Sequence, residues 1–245
     1  MPPPTDAPDR VPTRRERVRA STIEEIKDTA MRLLRETGSH FTFADVAREM
    51  GLTPPALYRY FTDRDDLLSA LMVDGFQAMS ETLTGVLDAV APEDLPGRVR
   101  AAAVAYRQFA KDDPARFSLM FGLPDPGFGR HSEHSSGPAA GATMASLERL
   151  VQSVLDHGVL PAPLVQDVGP TWSTEAGTTA QRSDGTRIPA VVYQALLQFL
   201  STVHGFACLE NFDHLNWITE QSRDELFEAQ IELLTAAMGA TGDHA

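Results

Sequence analysis

An all-α fold is predicted for this chain of 245 residues. Three observations predict it. Apolar residues recur three and four positions apart through most of the chain. Capping residues interrupt that pattern at Ser21, Thr42, Thr53 and Asp63. No run of useful length alternates apolar with polar residues, as a half-buried strand would. The chain is long enough for one large domain or two small ones with a real core.

The elements follow in order. Residues 1–19 are rich in proline and charge and are expected to form a disordered arm. Ser21-Thr22-Ile23-Glu24 has capping-box spacing, so a helix is expected to start there, with Ile26, Ala30, Leu33 and Leu34 on one face. Gly38 ends it. Thr42 and Asp45 cap a second helix whose apolar face is Val46, Ala47 and Met50, and Gly51 stands where a left-handed residue closes it. Thr53 caps a third helix with Pro54 at its first position, where proline loses no bond. Leu57 and Phe61 share its inner face. Asp63 caps a fourth helix running to about Ala89. Pro92–Gly97 reads as a break.

Helical patterns resume over 97–112, 114–121, 139–157, 189–212 and 221–238. Residues 122–138 read as a Gly/Pro/Ser loop. Residues 161–188 have no period and many breakers, which fits a long mobile loop; a lid and a plain insertion read alike. Domain boundaries are expected at 20–80 and 81–240, after the arm of residues 1–19.

Charge divides the chain unevenly. The formal total is −13, with 21 basic and 34 acidic side chains. Residues 10–65 carry +2 and residues 66–245 carry −13. An acidic chain is not a general nucleic-acid coat, but it can hold a local basic face. Five arginines lie in ten residues (Arg10, Arg14, Arg15, Arg17, Arg19). They fit either a solvated tail or an arm along a phosphate backbone or minor groove. The single cysteine, Cys208, excludes an intrachain disulfide. The N-terminus has no apolar signal region, and no stretch approaches the ~18 apolar residues of a membrane span, so the chain is expected in the cytoplasm with no membrane partner.

The string TFADVAREMGLTPPALYRYF (42–61) carries the function. It reads as two short capped helices joined by a glycine-led turn. A helix-turn-helix lays its second helix in the major groove while the first crosses the backbone. Ile26, Ala30 and Leu33, then Val46 and Met50, then Leu57 and Phe61 would anchor a three-helix packing. The same spacing also fits an ordinary helical hairpin.

Residues 21–76 resemble the DNA-binding domain of the tetracycline-repressor (TetR) family of bacterial regulators. FTFADVAREMGL and TPPALYRYFTDRDDLL carry the resemblance, through Thr42, Ala47, Gly51, Leu57-Tyr58, Phe61 and Arg64. Where the family often has histidine and lysine, this chain has Tyr60 and Arg64. Pro55 removes one N–H from the helix tip.

The resemblance implies residue roles. Thr42 and Tyr58 donate hydroxyls to phosphate, and Arg64 does so with charge. Arg59 is the candidate for a base edge, such as guanine. Thr53, Pro54 and Pro55 could meet thymine methyls, and Tyr60 a base or phosphate. The C-terminal region looks like the divergent ligand-binding and dimerisation domain of the same family. STVHGFACLENFDH (201–214) and AKDDPARFSLMFG (110–122) resemble a subgroup with a His-Gly-containing helix. By that resemblance the last two long helices pair in a homodimer. Candidate pocket residues are Phe109, Phe117, Met120, Phe121, Trp172, Tyr193, Phe199 and His204, each of which also suits plain core packing. Cys208 reads as a buried, inert thiol.

The expected function is therefore a sequence-specific DNA-binding regulator: a ligand-released homodimeric repressor on a palindromic operator, with an unknown small-molecule effector. No cofactor is expected. His131 and His134 lack a third metal ligand. Neither a nucleophile motif nor a phosphate loop appears, so an enzyme is not expected. A regulator whose C-terminal domain binds a protein stays open beside the ligand-released one.

Overall fold

The computed structural model describes residues 13–121, 168–169, 171–172 and 187–239. The expected helix at 139–157, the loop at 122–138, His131, His134 and most of 161–188 lie outside the described residues, as does the arm before residue 13. Among the described residues every regular element is helical. Numbered in chain order over those residues, they are α1 (Arg14–Thr37), a 3₁₀ turn (Gly38–His40), α2 (Phe43–Glu49), α3 (Pro54–Leu57), α4 (Arg64–Asp88), α5 (Leu95–Asp112), α6 (Pro114–Phe121), α7 (Ala190–Asn211) and α8 (Glu220–Gly239). The chain forms two compact units that divide after Leu71.

In the first unit, α1 starts eight residues before the sequence expectation, with its cap at Thr13 rather than Ser21. Thr13 and Glu16 form a capping box there: the Thr13 hydroxyl accepts from the Glu16 amide at 3.2 Å, and the Glu16 carboxylate from the Thr13 amide at 2.6 Å. Thr13-x-x-Glu16 carries the same signal as Ser21-x-x-Glu24, and the arginines between them are good helix formers. Thr22 instead bonds back to the Val18 carbonyl at 2.9 Å inside the helix. Residues 14–19, expected to be disordered, are therefore helical.

The core of this unit is apolar and comes from every helix. Ile26, Ala30 and Leu34 of α1, Val46 and Ala47 of α2, Leu57, and Leu67 and Leu68 of α4 are all buried. Met50, expected on the inner face of α2, is only half-buried. α2 packs against both α1 and α3.

In the second unit α5 packs against α6, α7 and α8. Its start, at Leu95, is capped by Asp94, which accepts from the Gly97 amide at 2.9 Å. A Cβ on Gly97 would lie 2.1 Å from an Asp94 oxygen, so a larger residue would push the capping carboxylate aside. Gly75 likewise lets the Met120 side chain approach, since a Cβ there would meet its sulfur at 2.8 Å. Buried Arg98 donates to the Leu87 and Val90 carbonyls at 2.6 and 3.0 Å, closing the end of α4. Arg107 forms a bidentate pair with Glu210 (2.6 Å twice), reaches Asp224 at 2.7 Å and lies over the Phe206 and Phe227 rings. Burial alone would lower the Arg107 pKa, but the two carboxylates hold it above its ordinary value.

α7 is long and apolar enough by composition to cross a membrane, in contrast to the sequence expectation. Its partners are protein: it packs against α5, α6 and α8, and its Glu210 holds Arg107.

Candidate functional site

The face expected to meet DNA is built from α2, the turn after it and α3. Thr42 and Asp45 make the anticipated capping box. The Thr42 hydroxyl accepts from the Asp45 amide at 3.2 Å, while Asp45 accepts from the Thr42 amide and hydroxyl at 2.8 and 2.7 Å. Arg48 adds a bond to Asp45 at 2.5 Å. The Thr42 hydroxyl and amide, then the Arg48 guanidinium, hold the Asp45 carboxyl below its usual pKa. Gly51 sits at φ 64°, the left-handed conformation that turns the chain, and the Leu52 amide bonds back to the Ala47 carbonyl at 2.8 Å.

α3 is short: Pro54 and Pro55 occupy its first positions, where proline suits a helix start, and only four residues keep α geometry. Beyond Leu57 the amides of Arg59 and Tyr60 bond three residues back, at 3.3 and 2.9 Å, so the helical turn tightens as it approaches Phe61. Leu57 and Phe61 point into the core. Thr53, Pro54, Pro55, Tyr58 and Arg59 are exposed, and Tyr60 is half-buried. One face of this short element is anchored and the other is open.

The predicted contact residues differ in how free they are. Thr53 makes no capping bond with its side chain. The Tyr58 ring, 57% exposed, rests on Phe43 with centroids 4.9 Å apart. The structure shows no protein partner for the Arg59 guanidinium among the described residues. Its backbone carbonyl accepts from Arg19 Nη1 at 3.1 Å, and the Arg19 guanidinium lies 5.1 Å from the centre of the Tyr60 ring.

Arg64 is the most committed. Its Nε donates to the Phe41 carbonyl at 3.0 Å, its Nη2 to the Ser39 carbonyl at 2.5 Å, and its plane covers the Phe41 ring. It ties the start of α4 to the segment before α2. Sequence reasoning missed this clamp and the link from Arg19 to Arg59, because both join residues more than 20 positions apart and leave no local pattern.

In the second unit, three of the eight candidate pocket residues meet. Phe117, Phe121 and His204 have centroids 4.7–5.8 Å apart, while Met120, from the same helix as the two Phe rings, lies against Gly75. Tyr106, absent from the candidates, completes the group: its hydroxyl is 2.8 Å from His204 Nδ1. Cys208 Sγ lies 3.4 Å from His204 Nε2. A helical spacing of four joins His204 to Cys208 and was legible in the sequence; Tyr106 comes from α5 and was not. Burial pushes His204 below its ordinary pKa, and pushes the Tyr106 phenol and the Cys208 thiol upward. All three are thus neutral near pH 7.

Phe109 is half-buried and Phe199 lies in the core. Trp172 stacks on Tyr193 at 5.9 Å, with rings nearly parallel. Neither these two rings nor Phe109 and Phe199 make a ring contact with the His204 group among the described residues. A separate open cleft of 330 Å³ is lined in part by Lys111, Glu210, Asn211, Asp213 and Arg223.

Comparison with known proteins agrees with both units. Residues 26–71 match the family described as bacterial regulatory proteins, tetR family. Residues 99–234 match the tetracyclin repressor-like C-terminal domain, and this segment contains the strings 110–122 and 201–214. HTH-type transcriptional regulators of Mycobacterium tuberculosis and Mycobacterium bovis are 26% identical over 225 residues, covering 91% of this chain and 93% of theirs. The protein SCO4313, known from a crystal structure, is 29% identical, with a TM-score of 0.71 over 91% of this chain and 98% of that one. A protein from Rhodococcus sp. RHA1 shares the fold at 21% identity, with a TM-score of 0.61 over 95% of this chain and 99% of its own. With an amphipathic short helix on a capped turn, a helical second unit and family matches over both, the chain belongs to the TetR family of bacterial transcriptional regulators.

Proposed function

We propose that this regulator is a homodimeric, ligand-released repressor that reads a palindromic operator through α3. The observation that carries the reading is Arg59: it stands exposed, with no partner for its guanidinium among the described residues, on an element whose other face is pinned by Leu57 and Phe61. A pinned backbone with an unpaired guanidinium suits bidentate contact to a guanine edge. Thr53, Pro54 and Pro55 lie beside it on the open surface and suit thymine methyls. Thr42, Tyr58 and Tyr60 suit phosphate or sugar, which positions the domain without selecting sequence. Arg64 is assigned a positioning role, since two carbonyls already hold it.

Dimerisation through α7 and α8 is supported by apolar surface that the single chain leaves uncovered. Leu226 and Leu233 of α8 stand seven apart and are exposed, as are Leu209 of α7 and Phe212 just after it. Only 44% of the most apolar stretch of α7 is buried. The effector is assigned to the group of Tyr106, Phe117, Phe121 and His204. Convergent aromatic rings with one polar pair are the usual makeup of a small-molecule site, and the neutrality of that pair suits an uncharged ligand. Ligand bound to one spacing of the two DNA-reading units lowers operator affinity, and linkage makes DNA weaken ligand binding by the same factor.

Selection from a library of randomised duplexes tests the reading. The expected outcome is an inverted repeat whose half-sites lie about one helical turn apart. Recovery of a single half-site, or no enrichment, would contradict it.

A further inference from the structure

The first three turns of α1 are built differently from the rest of that helix. Residues 14–25 include no buried side chain, and the first buried position is Ile26. At about 1.5 Å per residue this is roughly 18 Å of helix without core support. A helical stretch of that length is marginal on its own. It is held by the Thr13–Glu16 capping box at its tip and by Arg19, which bonds the Arg59 carbonyl and covers Tyr60.

Its charges oppose helix electrostatics. Arg14, Arg15 and Arg17 fall in the first turns, where the positive end of the helix dipole disfavours cations. Only Glu16 is acidic in the first turn. The three arginines are exposed and have no acidic partner among the described residues. Helix propensity favours arginine no more than glutamate or glutamine, and packing does not use these side chains, so three cations at this end of the helix mark a surface made for something outside the chain.

Geometry says what that is. Arg15 and Arg19 are four apart and share one face of α1. Arg19 places that face against the end of the α3 segment, beside Arg59. Side chains on a helix lean toward its N-terminus, so Arg15 reaches beyond Arg19, away from the α3 segment. Arg14 and Arg17, three apart, flank it. A row of cations therefore extends outward from the face assigned to base reading, on a chain whose residues 66–245 carry −13.

We propose that the N-terminal turns of α1 form a second, sequence-independent DNA contact, in which Arg14, Arg15 and Arg17 bind phosphates flanking the half-site read by α3. This rests on the DNA-reading assignment above. It enlarges the footprint and adds affinity and salt dependence, without adding base discrimination.

The test compares the full-length chain with two triple variants: Arg14→Ala/Arg15→Ala/Arg17→Ala, and the same three positions changed to Lys. Binding to the duplex selected above, and to a scrambled duplex of equal length, is followed by fluorescence anisotropy across salt concentrations. Each phosphate contact contributes about 0.9 to the slope of log K against log salt, so the alanine variant, which loses three contacts in each protomer of the dimer, should lose roughly 5 units of slope. Between 50 and 200 mM salt its affinity should then fall roughly 10³-fold less than that of wild type. The ratio of selected to scrambled affinity should not change, and the lysine variant should keep the wild-type slope. Trimming the flanks of the duplex should abolish the difference between wild type and the alanine variant.

Three results overturn the proposal. An unchanged slope in the alanine variant, with tight selective binding by wild type, sinks this contact alone. A loss confined to the selected duplex would make the arginines base readers. A wild-type chain that selects no duplex sinks the DNA-reading assignment as well. Helical circular dichroism of both variants guards against loss of fold, since Ala and Lys are both good helix formers.

Discussion

Arg59 and Arg64 stand five residues apart, and their surroundings give them different work. Arg59 has no side-chain partner among the described residues and lies on the open side of α3. Arg64 spends two of its donors on the Ser39 and Phe41 carbonyls, with its side chain only 22% exposed. The family resemblance implies phosphate contact for Arg64, but nothing near it in sequence announces carbonyls more than 20 residues away. Replacing Arg64 by Ala should therefore destabilise the first unit by about 1–3 kcal/mol, the usual loss when charged hydrogen bonds to the backbone are removed. Lys at this position should restore less than half of that loss, because one ammonium cannot span both carbonyls and cover the Phe41 ring. Denaturant titration reads the effect. An unchanged midpoint with weakened DNA binding would return Arg64 to phosphate contact.

At the scale of elements, local signals located helices well and chose poorly between equivalent starts. Thr42–Asp45, Gly51, Pro54 and Asp63 all sit where their chemistry placed them, because a cap is a contact within four residues. Two capping boxes compete for the start of α1, and the outer one forms, so the expected arm became helix. The inner faces were legible wherever one helix supplies them, as with Leu57 and Phe61. The His204 group was half legible, since Phe117 and Phe121 share one segment while Tyr106 enters from α5. The apolar surface left on α7 and α8 carries its own prediction. Leu226→Glu with Leu233→Glu changes exposed positions, so each chain should keep its fold. Sedimentation should shift from dimer to monomer, and operator affinity should fall by at least about 100-fold as the two reading units lose their linkage. A double variant that still sediments as a dimer would place the interface elsewhere.

Across the whole molecule, charge and fold agree on a division of labour. The first unit gathers exposed arginines around α1 and α3. The second carries the acidity and an aromatic group with neutral polar partners. A net charge of −13 repels nucleic acid in general and leaves binding to the local basic face. Sequence could place this division because charge is additive along the chain. It could not show which residues of the second unit converge, since that depends on packing between helices about 100 positions apart, as for Tyr106 and His204. The central claim is that α3 reads bases through Arg59, and one ratio tests it most directly: the affinity of the intact regulator for its selected duplex over that for a scrambled one. The account predicts a ratio of at least about 10³ for wild type at physiological salt. Arg59→Ala should cut that ratio by at least about 30-fold, the worth of two base contacts of about 1–3 kcal/mol each, one per half-site, while binding to the scrambled duplex changes little. An Arg59→Ala chain with the wild-type ratio would contradict the account.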